Sequence, residues 1–200
     1  MRATERDLRL LRFVGEQYAV SLPQLAMLMG RSVHAARWLR DRWQGAGWVE
    51  GRTILVGEPV FVWLTRRGKT AASSPYAVWC PTPGALAHVA AVTDVRLDIE
   101  RRHPDGVWIC ERELFRGGSD RRAHRPDGVV ELGGRGVAVE VELTQKERRR
   151  ARRIMQELVA GYGSVTYFAA PAPLRLLEEL AEEVGAGRVQ VLALPEAGRR

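Results

Sequence analysis

Between His124 and Lys146 the chain gathers three carboxylates, Asp127, Glu140 and Glu142, at positions where folding requires none. Two alternating runs flank Gly133-Gly134-Arg135-Gly136, the punctuation of a β-hairpin. With those four residues as the loop, Leu132 faces Val137, Val130 faces Val139 and Gly128 faces Val141, which makes one apolar face. Strand alternation then puts Asp127, Val129 and Glu131 on the other face with Ala138, Glu140 and Glu142, Asp127 lying opposite Glu142 and diagonal to Glu140. Carboxylates set that close repel unless a cation lies between them, either a metal ion or a neighbouring Arg or Lys.

Other chemistry-bearing residues are less organised. Cys80 and Cys110 are too few for a disulfide framework, and no Cys/His spacing suggests zinc. Gly133, Gly134 and Gly136 lack the lysine of a phosphate-binding loop. His103 and His124 read as surface histidines, His88 as a hydrogen-bonded core residue, and the Glu178-Glu179 and Glu182-Glu183 pairs as a solvated helix face.

The elements that position these groups come from a chain of 200 residues whose 46% apolar and 28% charged content suits a folded protein with a sizeable core. No apolar run approaches the roughly 18 residues of a membrane span, and Met1-Arg-Ala-Thr-Glu-Arg-Asp7 does not resemble a signal peptide, so a cytoplasmic protein with no membrane partner is expected. The net charge of +7 makes an anionic partner the first candidate, and its excess sits early. Residues 1–80 hold twelve Lys/Arg against six Asp/Glu, whereas residues 81–200 hold nineteen against eighteen.

The early residues read as three helices: one after Thr4 to Tyr18, capped by Thr4 and Asp7, one from Ser21 to Gly30, and one after the N-cap Ser32. Trp48–Val56 and Pro59–Leu64 follow as two strands around Gly57-Glu58. This order, with the ending Trp63-Leu-Thr-Arg-Arg-Gly68, resembles a winged helix-turn-helix over about residues 4–72. The resemblance implies a third helix in the major groove of double-stranded DNA and a wing on the backbone. Arg31, Ser32, His34, Arg37 and Arg40 are then the candidate readers, and Arg52, Arg66, Arg67 and Lys69 the phosphate contacts. Trp38, Leu39 and Trp43 are expected to pack the helix on its core. A homodimer is expected by analogy with winged-helix regulators.

Residues 73–84, with Pro75, Pro81, Pro83 and Gly84, read as a linker between a domain over 1–72 and another over 85–200. The second domain reads as a helix (Ala85–Arg102), a strand (Val107–Cys110), a basic loop (116–124), the hairpin, a helix from N-cap Thr144 with Glu147 closing a capping box, a strand, a helix and a strand. Lys146, Arg148, Arg149, Arg150, Arg152 and Arg153 crowd the start of the helix after Thr144, against its dipole. The order, with Pro126-Asp127 and Glu140-Val-Glu142, resembles the PD-(D/E)xK nuclease fold, αβββαβ, so the chain as a whole is expected to be a two-domain α+β protein. With His88 and Asp94 in the first helix, Arg125-Pro-Asp-Gly128 and Glu140-Val-Glu-Leu-Thr-Gln-Lys146, it is similar to the replication-relaxation family of bacterial mobile elements.

The resemblance implies that Asp127 and Glu140 bind Mg²⁺ and that Glu142 stands where the nucleases carry lysine, with Lys146 as a displaced cation and Asp94, Asp98 or Glu100 as a further carboxylate. Three functions follow. The first is a double-stranded-DNA-binding protein of plasmid or mobile-element replication, mobilisation or their transcriptional regulation, with replication or relaxosome proteins as partners. The second is a Mg²⁺-dependent DNA endonuclease using Asp127, Glu140, Glu142 and Lys146. The third is a protein-interaction module without a nucleic-acid role.

Overall fold

The computed structural model describes residues 2–117, 124–185 and 187–195, so most of the expected basic loop over 116–124 lies outside the described residues. The fold is α+β, in two compact units that divide after Leu97. No helix among the described residues is long and apolar enough to cross a membrane.

The first unit opens with α1 (Glu5–Glu16), whose capping box is formed: Asp7 N–H donates to Thr4 Oγ1 and Thr4 N–H to Asp7 Oδ2. A short strand, β1 (Ala19–Ser21), runs into α2 (Leu22–Met29), capped reciprocally by Ser21 and Gln24 and ended by Gly30 at φ 60°. Next come α3 (Val33–Gly45, N-cap Ser32), β2 (Val49–Arg52), β3 (Phe61–Leu64) and a one-and-a-half-turn helix, α4 (Arg66–Ala71). The strands form an antiparallel sheet in the order β1-β3-β2. At three residues β1 is too short to leave a periodic signal, and it is set by its pairing with β3. Leu11, Val14, Leu25, Ala36, Trp43 and Val62 form the buried centre.

Asp7 does more than cap. It is 1% exposed and accepts from Trp43 Nε1 at 2.9 Å and from the Arg42 guanidinium, so it ties α1 to α3. Burial alone would push its carboxyl up; the bonds from Thr4, Trp43 and Arg42 outweigh that and hold it below the ordinary carboxylate range.

The long helix α5 (Pro83–Arg102) contains the division between units. Its Leu86 and Val89 cluster with Ala19, Phe61 and Trp63, and Leu97 belongs to the core around Leu10. Apolar packing of α5 therefore carries the first unit past residues 73–84, and the compact division falls inside the helix.

The second unit adds β4 (Val107–Cys110), α6 (Glu111–Arg116), β5 (Gly128–Leu132), β6 (Arg135–Glu142), α7 (Arg148–Tyr162), β7 (Val165–Ala169), α8 (Pro171–Gly185) and β8 (Val189–Ala193). The sheet runs β4-β5-β6-β7-β8, antiparallel through β6 and parallel from β6 to β8. The hairpin register differs from the expected one by two residues: Leu132 pairs with Arg135, Val130 with Val137 and Gly128 with Val139. The loop is Gly133-Gly134 alone, at φ 55° and 78°, the left-handed pair that a two-residue hairpin turn needs and that glycine adopts without strain. A shift of two keeps every side chain on its expected face.

The expected Thr144 capping box is absent. Helix α7 starts at Arg148 with Glu147 as an N-cap that makes no side-chain bond. Residues 143–147 precede the helix, and Lys146 pairs with Glu142 across them.

Candidate functional site

On one sheet face Ala138, Val165, Tyr167 and Ala169 pack under Ala151, Ile154, Met155 and Leu158 of α7 and Leu177 and Leu180 of α8. Alternation places Glu140 and Glu142 on that same face, at the end of β6, where they are 4% and 6% exposed. Asp127 stands one residue before β5, and the register carried on by one step sets it across from Glu140, where Glu142 had been expected. Its Oδ2 accepts the Val141 N–H at 2.7 Å, satisfying β6 where the β5 ladder stops.

Glu140 Oε1 lies 2.8 Å from His124 Nε2, and Glu140 Oε2 is buried with no hydrogen-bond partner among the described residues. Burial, reinforced by the charge of Asp127 and opposed by the His124 bond, pushes the Glu140 carboxyl up to about 7. The same bond raises His124 above its ordinary value against the effect of its burial. The His124 main-chain N–H donates to Glu157 Oε2 of α7 at 3.2 Å. Tyr167 pairs with Glu140 across β6 and β7, and its buried hydroxyl has no partner among the described residues. Burial and the nearby carboxylates keep that phenol protonated by pushing it up.

Lys146 Nζ forms an ion pair with Glu142 Oε2, so a cation is delivered to the position that carries glutamate in this chain. The rest of the basic run is partly consumed by α8: Arg148 bonds Glu179 and Glu183, Arg152 bonds Glu183, and Arg175 joins Glu179. Those glutamates had read as a solvated face; they offset cations that the α7 dipole disfavours. Of the first-helix carboxylates, Asp94 accepts from Gln24 Nε2 at 2.8 Å. Asp98 bonds Arg101 and Arg102 and lines a recess of about 250 Å³ with Val130, Val137 and Val139, the sheet face opposite Glu140. It does not join Asp127 and Glu140.

Hard carboxylate oxygens at Asp127 and Glu140 suit a divalent cation such as Mg²⁺, and the unpartnered Glu140 Oε2 is the atom such an ion would neutralise. Among the described residues no three of His, Cys, Asp and Glu are grouped as a ready metal-ligand set. His124 is the member of this cluster that sequence reasoning missed. A histidine three residues before Asp127 carries no periodic signal, and its approach to Glu140 depends on the path of the chain into β5.

The expected DNA-contact residues divide. Arg31, Ser32, His34 and Arg37 are exposed at the start and outer face of α3. Arg40 is half-buried, lies 2.6 Å from Asp41 and has its side chain against Gly51 of β2, so it is turned towards the sheet. Arg52 pairs with Glu50 at 2.7 Å on an exposed strand end. Arg66 and Arg67 are exposed and Lys69 half-buried, all three on α4 and not on the strands. Leu39 and Trp43 are buried as expected, but Trp38 is 63% exposed: α3 turns the first two inward, and Trp38, one residue from Leu39, falls outside the buried stripe. No protein-family model, no curated protein and no solved structure matches this chain.

Proposed function

We propose that the chain is a double-stranded-DNA-binding protein acting in plasmid or mobile-element replication, mobilisation or their transcriptional regulation, and that its first unit is a winged helix-turn-helix. The observation that carries this reading is a set of cations left without partners. Arg31, Arg37, Arg66 and Arg67 are exposed, and none makes an ion pair among the described residues. Four carboxylates of the same unit are spent elsewhere: Asp7 on Arg42, Glu16 on Arg96, Asp41 on Arg40 and Glu50 on Arg52. A surface of uncompensated guanidinium groups on α3 and α4 suits a polyanion. The element order α1-β1-α2-α3-β2-β3 supports the winged-helix reading.

Fluorescence anisotropy of labelled duplexes between 50 and 200 mM salt tests it. Each phosphate contact contributes a slope of about −0.9 to log K against log salt, so Arg66→Ala with Arg67→Ala is expected to reduce the slope by about 2 and to weaken all duplexes alike. Absence of binding to any duplex at low salt overturns the reading.

A second reading rests on a separate observation, the buried and unpartnered Glu140 Oε2 beside Asp127. It makes the second unit a PD-(D/E)xK-type endonuclease, with Asp127 and Glu140 holding Mg²⁺ and Lys146 replacing the usual lysine from four residues later. The bound cation would supply charge neutralisation at a phosphodiester and a more acidic water. Supercoiled plasmid is expected to be nicked in Mg²⁺ or Mn²⁺ by the native chain and not by Asp127→Asn. Uncut plasmid, or equal cutting by the variant, removes this reading and leaves the first untouched.

A further inference from the structure

The outer face of α3 carries one large apolar group among its cations. Trp38 stands four residues after His34, one turn along the same helical stripe, with Arg37 adjacent and Arg31 just before the Ser32 N-cap. This stripe borders a recess of about 570 Å³ whose lining includes Arg6, Met29 and Arg31. Arg6, Arg31 and Arg37 are exposed and make no ion pair among the described residues. A protein partner with an apolar face would desolvate these cations without replacing their hydration; a polyanion would compensate it with charge-assisted hydrogen bonds.

The indole is also braced. The Arg42 guanidinium lies 5.5 Å from its ring centroid and is held by the buried Asp7 carboxylate, which Trp43 and Thr4 fix in turn. A rigid, flat side chain loses little freedom on contact, which suits it to recognition. Contacts to phosphates position a duplex but carry no base information. In the major groove the principal apolar feature is the C5-methyl group of thymine.

We infer that Trp38 is a specificity-determining residue of α3, discriminating base sequence by contact of its indole with a thymine methyl while Arg31 and Arg37 hold flanking phosphates. This rests on the duplex-binding reading above.

The test uses the full-length chain. Duplexes selected by the native protein from a random-centre pool are compared with scrambled ones by anisotropy, for native, Trp38→Ala and Trp38→Phe chains, and again with each thymine replaced singly by uracil. At one position the uracil substitution is expected to cost the native chain about fourfold, the value of one methyl group, and Trp38→Ala nothing further. Trp38→Ala is expected to lose about tenfold of the preference for selected over scrambled duplex, as for one mismatched base pair, and Trp38→Phe to keep most of it. An unchanged preference in Trp38→Ala overturns the inference, as does equal weakening on all duplexes or a lower oligomeric state on sedimentation, which would assign the indole to phosphate positioning or to a protein contact. Failure of the native chain to bind any duplex overturns the duplex reading itself. Thermal transitions confirm that the variants are folded, which the exposure of Trp38 favours.

Discussion

Gly68→Ala is expected to destabilise the first unit by about 3 kcal/mol, at the upper end of what an overpacked site costs. A Cβ placed on Gly68 would lie 1.7 Å from the carbonyl oxygen of Trp48 and 2.7 Å from its carbonyl carbon. Both are backbone atoms, so no side-chain rotation relieves the clash. That carbonyl also accepts the Thr65 N–H at 3.0 Å, while the Thr65 hydroxyl donates to the Gly47 carbonyl at 2.6 Å and accepts from Gly68 N–H at 3.0 Å. Moving α4 away to make room breaks these bonds, so the sheet end and the exposed Arg66 and Arg67 would shift together. Thermal unfolding, with hydrogen exchange of the β2 and β3 peptides to assign the loss to this unit, measures the effect. A variant as stable as the native chain would contradict the close approach of α4 to Trp48. The leucine-threonine-x-x-glycine pattern at Leu64–Gly68 thus has a local physical cause, a threonine-capped turn laid directly on a strand end.

Glu140→Gln is expected to stabilise the second unit by up to roughly 3 kcal/mol at pH 8 and to flatten its dependence on pH, since each unit of pKa shift removed corresponds to about 1.4 kcal/mol. The Glu140 carboxyl is raised from 4.5 to about 7, chiefly by burial. Between those values the folded chain binds more protons than the unfolded one, so native stability falls as pH rises through this window. His124 acts in the same sense: its raised pKa gives stability that is complete below its unfolded value and is lost as pH rises through the folded one. Glutamine removes the titrating carboxyl and still offers an oxygen to His124. Urea unfolding at pH 5, 6, 7 and 8, read by pulsed hydrogen exchange of the β6 and β7 peptides, separates this unit from the first. A native chain that is flat across the window, or a variant weaker at pH 8, would refute the account. The same substitution should abolish any cation-dependent cleavage, so the two effects can be read from one protein.

Local signals in the chain were enough to place most elements and the face on which the acids lie. Thr4 with Asp7, Ser21 with Gln24 and Ser32 mark three helix starts because a short polar side chain satisfies its own neighbours' N–H groups, a matter of three or four residues. Asp127, Glu140 and Glu142 share a face whatever the pairing, because side chains alternate with period two and an even shift cannot move them. Distances between them were another matter. Loops of two or four residues satisfy the same alternation, and the left-handed pair Gly133-Gly134 selects the shorter, bringing Asp127 across from Glu140. Other assignments were non-local in the same way. Which side of α3 faces the core decided Trp38, the start of α7 at Arg148 left Thr144 outside the helix, and the entry of the chain into β5 put His124 on Glu140. Each depends on contacts between segments distant in the chain or between faces that helical or strand periodicity leaves equivalent, and such choices are made by packing.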